Sequence, residues 1–423
     1  MKVFFDTVGC RLNQAEIEHL AGEFRSAGHT IIDSVEGADL VILNTCSVTA
    51  AAASDSRQKV RQAQHAGAAR IVVTGCLATL ETEEMGKLPG VSLVVSNPAK
   101  QQIPALVLDQ SELMDLEPLA RQPLPGARKR TRAFIKVQDG CNNHCAFCVT
   151  RIARGEALSV PREEVLREVN LAINGGTREV VLTGVHLGWW GRDLSKGETL
   201  ADLVTYLLEQ TPVERLRLSS TEPWDLDERF FDLWQDPRMC RHLHLPLQSG
   251  SAEVLKRMAR RTTPVAYSEL LAHARERIPG LAVTTDIIVG FPGETDAEFF
   301  ESLEFATAMN FSGGHVFRYS ARAGTAAARL PGRVHGSIAR ERGRLMRLAL
   351  EKSARRFADA QIGSELKTLW ETAEPSGEAW LMRGLTDNYL SVAALAKSDR
   401  SNQIDLTRID VNEKGCLFAT IIR

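Results

Sequence analysis

The sequence predicts an α/β protein in three parts: an N-terminal open parallel α/β sheet, a central partial (β/α)6 barrel and a small C-terminal β-barrel. Three observations predict it. Short apolar runs alternate with helical patterns over residues 1–125, six more such runs alternate with helical patterns over 126–355, and helical spacing stops near Ala360. The chain has 423 residues, enough for two or three cores, and its 44% hydrophobic and 25% charged composition is that of an ordinary globular protein. A formal charge of −2 argues neither for nor against a nucleic-acid partner. No apolar run approaches the ~20 residues of a membrane span, and the first residues enter a strand pattern without a signal-peptide core. The expectation is a cytoplasmic protein with no membrane partner.

In the first domain, residues 1–125, the runs 2–6 (KVFFD), 40–44 (LVILN), 71–74 (IVVT) and 92–95 (SLVV) read as short buried strands. Ile17, Leu20 and Phe24 mark one face of a helix between the first two, and 53–66 has a helical pattern as well. Alternating strands and helices imply a parallel sheet, whose carboxyl edge is where ligands bind. Cys10, Cys46 and Cys76 each follow the carboxyl end of one of the first three strands. A free Cys is often plain core. Three at equivalent positions favour convergence on one three-Cys site.

Residues 121–136 hold six basic side chains (Arg121, Arg128, Lys129, Arg130, Arg132, Lys136) and no acidic one, around Pro123, Pro125 and Gly126. That composition fits a solvated linker and a phosphate-contacting strip equally. The central domain, residues 126–355, has strand-like runs at 134–137, 180–183, 216–219, 242–246, 283–289 and 315–319. Helical patterns at 162–174, 200–209, 264–278 and 295–309 separate them. After the first run comes Cys141-Asn142-Asn143-His144-Cys145-Ala146-Phe147-Cys148, at the face where parallel barrels place their chemistry. Three thiolates at this spacing can turn inward round one soft metal centre. A structural zinc would want a fourth ligand, and the local candidate, His144, sits where a tight loop turns it away. A four-iron cluster on three cysteines instead keeps one iron open to a substrate. Eight cysteines in so long a chain are no disulfide framework, and Cys240 and Cys416 read as structural thiols.

Lys256, Arg257, Arg260 and Arg261 form a basic cluster that reads as a solvated helix face or as a clamp for phosphate or carboxylate. Residues 340–356 hold seven basic and two acidic side chains with Leu345, Leu348 and Ala349 at helical spacing, an amphipathic helix whose basic face suits RNA or solvent. Runs at 366–372, 379–382, 389–392 and 417–422 make residues 361–423 a small β-module of the oligonucleotide-binding kind. It is mildly acidic, with seven Lys or Arg against nine Asp or Glu, and Trp370, Trp380 and Tyr389 read as core more readily than as stacking platforms.

With Phe147 before its third Cys, the 141–148 loop resembles that of the radical S-adenosylmethionine (SAM) enzymes. Gly9-Cys10-Arg11-Leu12-Asn13-Gln14, Asn44-Thr45-Cys46-Ser47-Val48-Thr49 and Thr74-Gly75-Cys76 are similar to the N-terminal domain of the methylthiotransferases of that superfamily, and the likeness runs along essentially the whole chain. The resemblance implies two [4Fe-4S] clusters. One, on Cys141, Cys145 and Cys148, cleaves SAM to a 5′-deoxyadenosyl radical; an auxiliary one, on Cys10, Cys46 and Cys76, carries sulfur. It further implies SAM contacts from Phe147 and from the strand ends at Gly184, Ser220, Gln248, Asp286, Gly290 and Glu294. Residues 361–423 would be a TRAM-like domain that holds tRNA, and a flavodoxin or ferredoxin would supply electrons. The loops after the first two strands, with Ser56-Arg57-Gln58, resemble the subgroup acting on N6-threonylcarbamoyladenosine beside the anticodon of tRNA. Subgroups acting on isopentenyladenosine or on a ribosomal-protein aspartate are the alternatives. A non-catalytic iron–sulfur protein that binds RNA and senses redox state is the alternative from another class.

Overall fold

The computed structural model describes residues 1–108, 131–195, 197–413 and 416–422. Most of the basic linker, including Arg121, Arg128, Lys129 and Arg130, lies outside them. The chain divides into two compact units: Met1–Asn142 with Val149–Thr177 and Thr183–Val185, and Asn143–Cys148 with Arg178–Leu182 and His186–Arg423. No helix among the described residues is long and apolar enough to cross a membrane.

The first unit runs β1 (Lys2–Thr7), α1 (Arg11–Ser26), β2 (Thr30–Ile32), β3 (Leu40–Thr45), α2 (Ala50–His65), β4 (Ile71–Gly75), α3 (Cys76–Leu80), α4 (Thr82–Gly86), β5 (Val91–Val95) and α5 (Ile103–Val107). The strands form one parallel sheet in the order β2-β1-β3-β4-β5. β3 and β4 are buried along their whole length, as central strands covered on both faces must be. Leu40 and Ile42 pack with Ile17, Leu20 and Phe24 of α1. Val41 and Leu43 pack with Ala53, Val60 and Ala63 of α2. The period-two pleat thus shares one strand between two cores. β2, three residues long, is too short to announce itself by alternation. The unit continues with β6 (Arg132–Lys136), β7 (Gln138–Asp139), α6 (Thr150–Arg154), β8 (Leu158–Ser159) and α7 (Arg162–Asn174). The strand expected to open the barrel, β6, is thus counted within the first unit but is no member of its five-stranded sheet.

The second unit begins at β9 (Glu179–Thr183, its last residue grouping with the first unit) and continues through α8 (Leu200–Gln210), β10 (Arg215–Leu218), α9 (Glu228–Phe231), β11 (His242–His244), α10 (Ala252–Arg257), α11 (Pro264–Arg277), β12 (Ala282–Val289), α12 (Asp296–Ala308), β13 (Gly313–Arg318) and α13 (Gly336–Asp359). β9 and β10 pair in parallel, isolated bridges at Leu216↔Met239 and Ser220↔His244 carry the order to β11, and β11, β12 and β13 pair in parallel again. Thr199 and Thr295 close capping boxes on α8 and α12, which fixes where those helices start. One side chain of the basic α13 face departs from expectation. Arg342 is buried and pairs with Glu294 at 2.5 Å and Asp296 at 2.7 Å, because the helix lies against the loop after β12.

The remaining strands, β14 (Glu365–Ser376), β15 (Ala379–Thr386), β16 (Ser391–Ala396), β17 (Ile404–Glu413) and β18 (Cys416–Ile421), close a barrel in the order β14-β15-β16-β18-β17. Closure leaves no unpaired sheet edge. β17 is a strand beyond the four expected runs; its polar sequence, IDLTRIDVNE, hides a strand that buries only every second side chain. Trp370 is core, fully buried with its Nε1 donating to Asp405 at 2.6 Å, and Trp380 packs at the edge of the same core. Tyr389 stacks on His242 of β11, with ring centroids 4.2 Å apart. The module is thus seated on the amino-terminal side of the β10 and β11 strands. Arg215 donates to the Leu385 and Thr386 carbonyls at 3.1 and 3.0 Å, and Arg241 pairs with Asp387 at 2.6 Å.

Candidate active site

The sheet register explains why three remote cysteines reach one edge. β1, β3 and β4 are consecutive neighbours, with Thr7 beside Asn44 and Thr45 beside Gly75, so their carboxyl ends are level. Cys10 caps α1, Cys46 follows β3 and Cys76 opens α3. Glycine is required at two of these turns. Gly9 has φ +107°, and a Cβ there would stand 2.6 Å from the Cys46 sulfur; Gly75 has φ +100°, and its Cβ would stand 2.3 Å from the Thr45 carbonyl oxygen. Burial pushes the Cys46 thiol up to about 11, against the Val48 amide and Arg154, which lower it. It is therefore protonated at neutral pH until a metal centre draws out the thiolate.

A buried polar network frames these thiols. Asn13 donates to the Val8 and Thr45 carbonyls at 2.8 and 3.1 Å, tying the turn after β1 to the end of β3, and its Oδ1 lies 3.7 Å from the Cys10 sulfur. Arg154 of α6 donates to that same Oδ1 at 2.7 Å, and to Glu16 and Asp139 at 2.9 Å each. Lys100 meets the other oxygen of Glu16 at 2.6 Å. Asn97 donates to the Cys76 sulfur at 3.5 Å and to the Ala153 carbonyl at 2.9 Å. Asn97, Lys100 and Arg154 are members of this network that sequence reasoning missed. Asn13 and Glu16 carried a signal: they stand three and six places after Cys10, on the first turns of the helix it caps.

The second cysteine set belongs to a loop whose residues group differently, Cys141 with the first unit and Cys145 and Cys148 with the second. In the first unit, Cys141 N–H donates to the Gly155 carbonyl at 3.2 Å, beside Gly140 at φ +64°, where a Cβ would meet the Glu156 carbonyl. In the second, Ala146 is pinned on both sides, its N–H donating to Met258 at 2.9 Å and its carbonyl accepting from Ala327 at 2.8 Å. Phe147 is half-buried against Ala146, Met258 and Phe291. Arg260 lies 3.7 Å from the Cys145 sulfur, grips Glu222 with two bonds of 3.0 and 2.6 Å, and lies over the Trp224 ring. Burial raises the Cys145 thiol and Arg260 opposes it. Asn143 meets His186 Nδ1 at 3.3 Å, and His186 Nε2 meets the buried Asp225 at 2.5 Å. His144 is exposed.

The other expected cofactor contacts occupy different surroundings. Gly184, in the first unit, lies close enough to Gln138 that a Cβ would come within 2.9 Å of its side chain. Ser220 is half-buried at the end of β10. Gln248 adopts φ +68°, its N–H donating to the Asp286 carbonyl at 2.8 Å. Asp286 lies between His244 and His315, 3.3 Å from each; burial raises its carboxyl, and the two imidazoles more than reverse that, holding it well below the usual carboxylate range. Glu294 faces inward, accepting from the Gly290 amide at 2.9 Å and from Arg342. Two arginines offered for a substrate carboxylate are already engaged: Arg257 with Glu298 at 2.8 Å and Arg260 with Glu222. Each acidic partner comes from another segment of the fold. Arg261 is exposed.

These residues fit the implied groups. Soft thiol donors, glycine-cleared space beside Cys46 and the partnerless buried Ser47 hydroxyl suit an iron–sulfur cluster at the first set. In the second unit the Ser219 and Thr221 hydroxyls, Trp224 Nε1 and the Tyr319 hydroxyl are likewise buried without partners, as polar groups left for a bound SAM would be. Among the described residues, no three His, Cys, Asp or Glu side chains close on the coordination sphere of a single metal ion. A cubane's corner thiolates stand farther apart than the ligands of one tetrahedral ion.

Two family models match the chain, the uncharacterized protein family UPF0004 over residues 2–96 and the radical SAM superfamily over 135–306. The chain is 35% identical over 422 residues to the threonylcarbamoyladenosine tRNA methylthiotransferase MtaB of Bacillus subtilis (strain 168), covering 96% of this chain and 93% of that protein. It is 34% identical to the protein of the same name from Aquifex aeolicus (strain VF5), over 93% and 96% of the two chains. It is also 32% identical to the tRNA-2-methylthio-N(6)-dimethylallyladenosine synthase of Paracoccus denitrificans (strain Pd 1222), over 98% and 95%. Among solved structures, the radical SAM methyltransferase TsrM from Kitasatospora setae superposes with a TM-score of 0.58 at 15% identity, over 77% of each chain, a likeness of fold.

Proposed function

The chain belongs to the radical SAM methylthiotransferases, and on that premise we propose that it inserts a methylthio group at C2 of N6-threonylcarbamoyladenosine next to the anticodon of tRNA. The product would be 2-methylthio-N6-threonylcarbamoyladenosine. What carries the reading is the pair of three-cysteine sets, one at the carboxyl ends of the parallel strands β1, β3 and β4 and one in the loop after β7, in a chain similar along nearly its whole length to proteins of that name. Residues 1–125 would hold the auxiliary cluster on Cys10, Cys46 and Cys76, residues 126–355 the SAM-binding cluster on Cys141, Cys145 and Cys148, and residues 361–423 would contact tRNA. The enzyme would work in the cytoplasm with a flavodoxin or ferredoxin as electron donor.

A purine C–H bond has no leaving group and no acidic proton; two iron–sulfur clusters and SAM, when bound, supply the radical and sulfur chemistry that it demands. The chain's own residues bind and orient. Arg260, fixed by Glu222 and the Trp224 face, sets a permanent positive charge beside Cys145 and favours its thiolate. The buried His186–Asp225 pair holds Asn143 and with it the turn between Cys141 and Cys145. The buried Ser219 and Thr221 hydroxyls, which have no partner, would offer polar contacts to SAM, Asp286 stays ionised under His244 and His315, and Glu294 stiffens the loop from Gly290. Of the three arginines considered for the threonylcarbamoyl carboxylate, Arg261 is the exposed one, and we assign that contact to it.

The deciding assay offers the reconstituted enzyme two otherwise equal anticodon stem-loops, one carrying threonylcarbamoyladenosine and one isopentenyladenosine. Faster methylthio product on the first is expected, and a preference for the second overturns the substrate assignment. The second reading is favoured by one observation, the almost equal likeness to dimethylallyladenosine synthases.

A further inference from the structure

We infer that Asn97 and Arg154 are positioning residues of the auxiliary cysteine site, which orient Cys76 and Cys10 and raise the reduction potential of the cluster held there. The inference rests on the reading that Cys10, Cys46 and Cys76 hold a four-iron cluster. Asn97 is itself fixed to the turn that presents Cys76. Its N–H donates to the Thr79 hydroxyl at 2.9 Å, and that hydroxyl donates to the Gly75 carbonyl at 2.9 Å. Its side-chain nitrogen then has two neighbours, the Ala153 carbonyl and the Cys76 sulfur. Both are acceptors, so the nitrogen and not the oxygen of the amide must face them. That orientation leaves Asn97 Oδ1 buried without a partner, an unfavourable arrangement whose result is an N–H aimed at the sulfur.

Arg154 acts at the neighbouring cysteine through its charge and through the turn that carries Cys10. Its side chain is 2% exposed and spans Asn13, Glu16 and Asp139, so Asn13 is held with its Nδ2 on the Val8 and Thr45 carbonyls on either side of that turn. Among the described residues, charge in this region is unequal: Arg154, Lys100 and Lys136 face Glu16 and Asp139, three cations to two carboxylates. A surplus positive charge and an N–H on a ligand sulfur both stabilise the more negative, reduced state of a cluster. Both therefore raise its potential.

The test uses the full chain with Cys141, Cys145 and Cys148 changed to Ala, reconstituted anaerobically so that only the auxiliary cluster titrates. In an EPR-monitored titration one electron passes from the titrant to each cluster. Asn97→Leu is expected to keep about four irons per chain while its midpoint falls. At the parent's midpoint the reduced-to-oxidised ratio should drop about tenfold, or 59 mV for a one-electron couple. Asn97→Asp should fall further, since a carboxylate replaces the donor. Arg154→Met, which leaves Glu16 paired with Lys100 and Lys136 but removes the surplus charge, should lower the midpoint too, whereas Arg154→Lys should hold it. Full iron with an unchanged midpoint in both Asn97 variants overturns the inference. A parent that binds no iron overturns the cluster reading instead, and the inference with it.

Discussion

Arg217 Nη1 lies 3.0 Å from the carbonyl oxygen of Asp387, so a fully buried cation of β10 is completed by a loop of the C-terminal barrel. Glu179 neutralises it at 2.7 Å and also pairs with Arg215 at 2.6 Å. The C-terminal module is therefore part of the foundation of these strands. Deleting residues 361–423, the obvious way to test tRNA contact, would strip the carbonyl partners of two buried arginines, so loss of RNA binding in such a truncation would not isolate recognition.

Arg217→Ala should accordingly destabilise the protein by about 3–5 kcal/mol, because it leaves Glu179 in a dry site with one cation fewer. Urea denaturation of the metal-free protein measures this. A loss under about 1 kcal/mol would falsify the structural role, since that is the range of an exposed pair.

Glu16 gives a pH-dependent counterpart. Burial raises its carboxyl, but Lys100, Arg154 and Lys136 outweigh burial and hold it well below the usual range. A depressed carboxylate contributes stability that is fully present above its unfolded value, about 4.3, and is lost as pH falls through the lower folded value. Glu16→Gln should cost about 3–5 kcal/mol at neutral pH, and its deficit should shrink as the solution is acidified below about pH 4. Calorimetry across that range checks it; a deficit independent of pH contradicts it.

Gly9→Ala tests the cradle beside Cys46. Its φ of +107° and the 2.6 Å approach to the Cys46 sulfur leave no room for a methyl group. The variant should lose the auxiliary cluster and all methylthio product while still releasing 5′-deoxyadenosine from SAM under a strong reductant. Retained product would show that the turn can yield.

Iron content separates the two sites. Reconstituted protein should hold about eight irons per chain, and the Cys141, Cys145, Cys148 triple Ala variant about four. Zinc in place of iron, or no iron in the triple variant, would contradict two independent clusters. If 5′-deoxyadenosine never forms, the redox-sensing reading gains.

Local pattern determined much of this protein. The strands of the N-terminal sheet, α7 at 162–174 and the cysteines just past β1, β3 and β4 were legible because burial of apolar faces repeats over a few residues, and because a parallel sheet aligns its carboxyl ends. β2 and β17 were not, one being too short and the other too polar. Tertiary structure decided what each charge does. Arg257, Arg260 and Arg342 look alike in the sequence, yet all three are bound to carboxylates from other segments, while Arg261 remains exposed. Arg154 meets Glu16 across 138 residues of chain, and Arg217 meets Asp387 across 170. A buried ion must find its partner in space to offset desolvation, and no spacing along the chain reports where that partner will be.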